Sequence, residues 1–301
     1  MFKSNAYRSF PTAVLAGACF AGGLTFAGQA TAGAGGDLMF YVSDGELKVG
    51  RYDFDGGSGL VLEVESEPLV ISEALPDWED GGKPGTDEPG LTTDGALAPD
   101  PIEGGGDPNG IDPDLQFPPN TALVATANVL PVIGLDVAYW DATGPVTFGA
   151  SPHNVLVESP FFSVPLNFDE ELEFDSDGVA PAGQLAPWQS DANGTNHDHF
   201  EFIIDALDAD ATPGIYAFSL TFEADGAFSE PQYFLLGYSD EAYFTDPEFG
   251  IEDPSQVTLT DLALEAALDQ ADEYFEENII PEPASGLLLA AAGGLALIRR
   301  R

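Results

Sequence analysis

Seven short apolar runs, at 123–129, 137–140, 146–148, 155–157, 200–204, 215–222 and 233–238, are cut apart by Gly, Pro, Asn and Asp. Each run is rich in Val, Ile, Phe and Tyr, residues that fit a pleated and half-buried surface. The separators are the residues that build turns. With 34 Gly and 24 Pro in 301 residues, long helices are confined to a few places. Short strands at close spacing with little helix between them point to an all-β chain, an antiparallel β-sandwich. The run Ile215-Tyr216-Ala217-Phe218-Ser219-Leu220-Thr221-Phe222 suits a central strand buried on at least one face.

The N-terminal part obeys the same logic. Residues 38–42 and 47–52 read as two strands joined at Asp44-Gly45, a hairpin turn signal. A further strand is expected at 60–64. From 75 to 120 the composition changes to Pro, Gly, Asp and Glu, which reads as a long acidic loop insertion. Within it, residues 107–114 offer oxygen ligands at roughly alternating positions, a weak calcium candidate without the ordered spacing of an EF-hand. The body with the remaining strands spans 121–259. Leu262, Ala263, Ala266, Ala267, Leu268, Ala271 and Phe275 then recur at helical spacing, with Thr260 or Asp261 as the cap. This C-terminal helix, 260–280, is expected to form a stalk or a lid on the sheet edge. Acids crowd its second half against the helix dipole, so its last turn is expected to fray.

Charge excludes one class of partner. The chain carries 52 acids and 8 bases, for a net charge of −44. Between residues 33 and 280 the only bases are Lys48, Arg51 and Lys83, and every acid except Glu282 lies there. Such a body repels nucleic acid and anionic membrane surfaces. It attracts divalent cations and favours protonated histidine. Solubility, or life in salty water, accounts for the charge itself.

Chemistry concentrates at three histidines, His153, His197 and His199. The segment His197-Asp198-His199 leads into an apolar strand. Residues two apart on an extended strand share a face, which sets two imidazoles side by side with Asp198 turned away. Two imidazoles and a carboxylate suit zinc. His153 is the other available imidazole, and Asp191, Asp205 and Glu201 are the carboxylate options. Strand alternation makes Glu201 the nearest of these on the histidines' face. Protons compete for the same nitrogens, so affinity is expected to fall below about pH 6.5. The alternative is a His-x-His turn that is polar punctuation and nothing more. No nucleophile elbow, P-loop, His-Glu-x-x-His helix or dinucleotide fingerprint is present, so the chain reads as non-catalytic.

Both ends read as addresses. Lys3 and Arg8 precede an apolar stretch at 13–26, and Ala30-Thr31-Ala32 forms an A-x-A site whose cleavage after Ala32 starts the mature chain at Gly33. Residues 1–32 therefore read as a signal peptide. It holds Cys19, the chain's one cysteine, so the mature body has no disulfide. At the far end Pro281-Glu282-Pro283 is followed by 15 small and apolar residues, 284–298, and then Arg299-Arg300-Arg301. A stable span needs about 20 residues, and terminal arginines hold a helix end on the cytoplasmic side. This tripartite tail resembles the PEP-CTERM sorting signal read by exosortases in Gram-negative bacteria. The resemblance implies an exosortase-type processing enzyme as partner, a membrane helix before processing, and delivery to the outer surface or extracellular matrix, where an envelope or matrix polysaccharide is the expected neighbour.

A second resemblance concerns the body. His197-Asp198-His199-Phe200, Pro213-Gly214-Ile215-Tyr216-Ala217-Phe218, and Ser229-Glu230-Pro231 before Tyr233-Phe234 look like the choice-of-anchor M domain proteins of bacterial surfaces. The opening Asp37-Leu38-Met39-Phe40-Tyr41 with Ser43-Asp44-Gly45 is similar as well. That family keeps one fold and swaps its anchoring signal, and some members are associated with zinc supply. The resemblance implies His197 and His199 as zinc ligands. The expected protein is an exported, surface-sorted, non-catalytic component of the envelope or matrix that binds zinc, or, less favourably, calcium. The competing expectation is a structural or adhesive matrix protein with no specific ligand.

Overall fold

The computed structural model describes residues 36–43, 45–53, 62–63, 68–75, 77–79, 83–87, 89–93, 117–159, 168–194, 196–206, 211–241 and 254–280. Their strands are, in chain order, β1 (Gly36–Ser43), β2 (Glu46–Asp53), β3 (Leu62–Glu63), β4 (Val70–Leu75), β5 (Asp77–Glu79), β6 (Lys83–Thr86), β7 (Gly90–Thr92), β8 (Ala122–Asn128) and β9 (Ala138–Trp140). There follow β10 (Gly149–Ala150), β11 (Asn154–Glu158), β12 (Glu171–Phe174), β13 (Leu185–Gln189), β14 (His197–His199), β15 (Glu201–Asp205), β16 (Gly214–Ala224), β17 (Ala227–Phe228) and β18 (Gln232–Tyr238). One long helix, α1 (Asp261–Asn278), ends the described chain.

These strands form three sheets. The first has the order β14-β7-β1-β2-β3 and the third the order β12-β11-β15-β6-β5. The second is built around β16, whose Ile215–Ala217 stretch pairs with β9 and whose Ser219–Glu223 stretch pairs with β8, while β18 runs along the opposite edge. Most pairings are antiparallel. Two are parallel, β1 with β7 and β18 with β4.

The alternation of side chains along β16 and β18 explains the layering. Tyr216, Phe218, Leu220 and Phe222, with Phe234 and Leu236, point to one face and join the main core. Ile215, Ala217, Tyr233 and Leu235 point to the other face and join a second core with α1. Rings close the first interface. Phe218 stacks on Phe234 at 5.1 Å and meets Phe174 at 5.0 Å and Phe202 at 6.0 Å, which brings the third sheet onto the second. Phe40 meets Phe222 at 4.9 Å and does the same for the first sheet. The central sheet thus has two sheets on one face and a helix on the other, an all-β sandwich with a C-terminal helix.

Helix α1 starts where Thr260 caps it, accepting from the Ala263 N–H at 3.3 Å. Its entry is tied to the end of β18. The Asp240 carboxylate accepts from the backbone N–H groups of Thr258 and Leu259, and Ser239 Oγ donates to Asp261 at 2.5 Å. Leu264, Ala267, Leu268, Ala271 and Phe275 are buried. They lie on the face of the central sheet, not on its edge as the sequence suggested. Gly237 permits this approach, because a Cβ there would stand 2.9 Å from Leu264 Cδ1 and 3.0 Å from Leu268 Cδ1. Leu262, which the helical spacing places with the apolar set, is 77% exposed. The helix continues through Glu276 and Glu277, held at its end by buried Phe275 and Ile279.

Other expectations shift. The hairpin forms as expected, with Ser43 opposite Glu46 and Gly45 at φ 81°. The span 75–120 is not all irregular, since β5, β6 and β7 lie in it. Their Pro and Gly residues suppress the strand pattern, yet short two- and three-residue pairings tolerate them. Residues 94–116, including the calcium candidate at 107–114, lie outside the described residues. Residues 146–148 form no strand; Phe148 instead packs on Phe275 at 5.2 Å. The signal segment 1–32 and the tail 281–301 also lie outside the described residues, and among the described residues no helix is long and apolar enough to cross a membrane.

Candidate metal centre

Strand β14 is short, and its path is set from both sides. Before it, Asn193 N–H donates to Asp191 Oδ1 at 2.7 Å, and Gly194 takes φ 84° where a Cβ would meet the Phe117 carbonyl at 2.2 Å. Thr93 clamps the same loop, with its hydroxyl donating to the Gly194 carbonyl at 2.9 Å and accepting from Asn196 N–H at 2.9 Å. After it, fully buried Phe200 carries the chain out of the first sheet and into the third.

The register then assembles a row of side chains. His199 pairs with Gly90, and His197 with Thr92. Across the parallel pair, Leu38 stands opposite Leu91, which puts Asp37 level with Gly90. Since strand residues two apart share a face, Asp37, Gly90, Thr92, His197 and His199 all lie on one side of the first sheet. Leu38, Phe40 and Leu91 occupy the other side, in the core.

The two imidazoles are neighbours, with ring centroids 5.0 Å apart and planes tilted by 40°. His197 Nε2 is 2.9 Å from Asp37 Oδ2, with the His197 side chain 40% exposed and that of Asp37 only 5% exposed. The His199 Nδ1 lies 2.7 Å from the Asp87 carbonyl oxygen. A carbonyl can only accept, so Nδ1 carries the proton and Nε2 keeps its lone pair. This is the arrangement that orients metal-binding histidines elsewhere. Two imidazoles and a carboxylate are the donor types zinc takes, and His197 and Asp37 meet at 2.9 Å, but the ligand atoms of all three residues do not lie within 4.8 Å of one another.

The other ligands expected from sequence stand elsewhere. Glu201 does not share the histidines' sheet, because the strand breaks at Phe200 and the alternation rule stops with it. It pairs with Glu158 in the third sheet. Asp205 faces Lys83 at 2.9 Å, and Asp191 caps the turn before β14. His153 is also remote in function. Its Nε2 accepts from Thr212 N–H at 3.0 Å and lies 2.8 Å from the Thr212 hydroxyl, so the lone pair a metal would need is engaged. Asp37 is the residue that sequence reasoning missed.

His153 gives a pH prediction. Burial holds its imidazole below the usual value, against a smaller opposing effect of Asp205. The neutral ring accepts from Thr212, and a proton on Nε2 would set two donors against each other. The unfolded chain takes up its proton near pH 6.5, before the folded chain does. The contribution is therefore complete above about pH 6.5 and is lost as pH falls through the folded value. His153→Gln keeps an acceptor and removes the titration. In urea denaturation, the stability advantage of the wild type over His153→Gln is expected to shrink between pH 7 and pH 5. A constant difference over that range would contradict the assignment.

Among the described residues one acidic group, Asp136, Asp175 and Asp177, brings three ligand oxygens within 4.8 Å of one another. The buried Asp136 carboxylate is already used, accepting from the N–H groups of Asp175 at 3.2 Å and Gly178 at 3.3 Å. It fixes the turn, which accounts for the cluster without an ion.

No protein-family model matches the chain, and no curated protein or solved structure matches it.

Proposed function

We propose that this chain is an exported, surface-sorted, non-catalytic protein of the cell envelope or extracellular matrix that holds a divalent cation, zinc by preference, through the His197-x-His199 strand. The observation that carries the metal reading is the pair of rings 5.0 Å apart on one sheet face, beside a buried carboxylate. A bound zinc would supply a Lewis-acidic cation, with His197 and His199 as the residues that would hold it. His199 is pre-oriented by the Asp87 carbonyl, and His197 is held beside Asp37. The export and sorting part rests on the tail Pro281-Glu282-Pro283 with Arg299, Arg300 and Arg301, on the A-x-A site at Ala30 and Ala32, and on the resemblance to PEP-CTERM and choice-of-anchor M proteins.

Two experiments test the two parts. Titration calorimetry of the full chain with Zn²⁺ is expected to show binding that His197→Ala with His199→Ala removes. For export, the protein recovered from the surface of a Gram-negative host is expected to begin at Gly33 when its N-terminus is sequenced. Recovery of chains that retain residues 1–32 would count against the leader.

A further inference from the structure

We infer that the outer face of the central sheet beside α1, formed by β13, β8, β16 and β17, is a docking surface for an uncharged polysaccharide chain. The inference rests on the envelope or matrix reading above and deepens it, by naming the surface that meets a polymer there. It does not involve the histidines.

The face follows from register. Tyr216, Phe218, Leu220 and Phe222 turn into the main core, so Ser219, Thr221 and Glu223 turn the other way. Under α1 that side is apolar, but among the described residues its apolar layer takes only Ile215 and Ala217 from β16. Beyond Ala217 the side becomes polar. Ser219 stands opposite Asn128 and Thr221 opposite Thr126 on β8, while Glu223 stands opposite Phe228 on β17. Ser219 is buried, Thr126, Asn128, Thr221 and Glu223 are partly exposed, and Gln184, just before β13, is exposed. Asn128 donates from Nδ2 to the hydroxyls of Ser219 at 3.3 Å and Thr221 at 3.0 Å, which turns its Oδ1 away from them. Gln184 donates to the Thr126 hydroxyl at 3.4 Å. Four residues along a strand span about 13 Å, so the rows from Glu223 to Asn128 can follow several linked sugars.

Two observations set the chemistry of the occupant. The first is charge. In a chain with 52 acids, β8 and β13 carry none and β16 carries Glu223 alone. The outward side of the third sheet, by contrast, holds Glu158, Glu171, Glu173, Glu201 and Asp205. An anionic polymer is repelled by the molecule as a whole, and a cationic one is drawn to its other faces. A neutral one is left to this hydroxyl and amide face. The second observation is Phe228. Its ring is 58% exposed, and its short strand is fixed where Ser229 Oγ accepts from the Phe222 N–H at 3.0 Å. The negative face of such a ring attracts the polarised C–H groups of a sugar. Glu223 beside it can accept from two neighbouring sugar hydroxyls, each a charge-assisted hydrogen bond. Groups already held in place lose little freedom on binding.

The test is electrophoresis of the full chain in native gels containing hydroxyethyl cellulose, galactomannan, dextran or alginate. At least one of the three neutral polymers is expected to retard the wild type, and alginate, a polyanion, is expected to leave it unretarded. Phe228→Ala and Glu223→Gln are expected to weaken the apparent affinity for that neutral polymer at least about 10-fold. Urea midpoints check that the variants are folded, and if one is not, the other decides. Retardation by none of the neutral polymers, or by alginate as strongly as by them, overturns the inference. So does retardation that both variants keep in full. Self-association of the wild type that Phe228→Ala abolishes would make the occupant a second copy of this chain and overturn it as well. Neither zinc nor the leader enters this assay, so the histidine and export readings stand or fall separately.

Discussion

Phe218→Ala is expected to cost about 3–5 kcal/mol of folding stability, the largest loss from any single substitution considered for this protein. Phe218 is fully buried at the middle of the central strand β16. Its ring stacks on Phe234 with an interplanar angle of 6°, and Phe174 and Phe202 press on it from the third sheet. Truncation removes the buried area of one ring and leaves a cavity bordered by three more. Rigid aromatic neighbours on two different sheets cannot all collapse into that space, which places the cost toward the upper end of the range. Domains have about 5–15 kcal/mol in total, so a large share of the folded population is at risk. Phe228→Ala is the control. That ring is 58% exposed, and its loss is expected to change stability by less than about 0.5 kcal/mol. Urea denaturation midpoints of the two variants measure the contrast. A cost below 1 kcal/mol for Phe218→Ala would mean that the sheets are not packed through this cluster.

The second large effect is a gain. Zinc at about 100 times its dissociation constant is expected to stabilise the folded chain by about 2.7 kcal/mol, because the ligands come together only when the strands pair. For a body of this size the melting temperature should rise by about 5–10 °C. His197 and His199 sit on the edge strand β14, paired to β7, so an ion held by the two rings would be lost when that strand separates. His197→Ala with His199→Ala should melt at nearly the same temperature with and without zinc. His153→Ala, whose ring lies on the Thr212 backbone, should keep the zinc-induced rise even if its baseline is lower. A rise that survives the double substitution would place the ion elsewhere.

The parts of this fold that could be read in advance are those governed by local pattern. The Asp44-Gly45 hairpin and the long strand around Phe218 carry strong turn and β-branched or aromatic signals, and both formed within a residue or two of expectation. Strands β12 and β13 did not announce themselves. Leu172 and Phe174 alternate with Glu171 and Glu173 for only four residues, inside an acidic stretch. In β13, Pro187 argues against a ladder, and the structure accommodates it with a register shift between Leu185 and Trp188. Strand β7 hid in a Pro- and Gly-rich segment for the same reason.

The candidate site divides along the same line. That His197 and His199 share a face is a local consequence of strand period, and their rings are indeed neighbours. Glu201 failed because local periodicity was carried past Phe200, where the chain changes sheets. Asp37 depends on the parallel pairing of β1 with β7, a contact between distant segments that no local pattern encodes. Gly90 reads in sequence as a loop residue; that it has no room for a side chain is visible only once Asp37 and His199 pack over it.

Zinc-edge X-ray absorption on the loaded full-length protein tests the central claim most directly, since imidazole rings leave a scattering signature that carboxylates and water lack. The account predicts two imidazole nitrogens at about 2.0–2.1 Å with oxygen completing the shell. A shell made of oxygen alone, unchanged when His197 and His199 are both replaced by Ala, would contradict it.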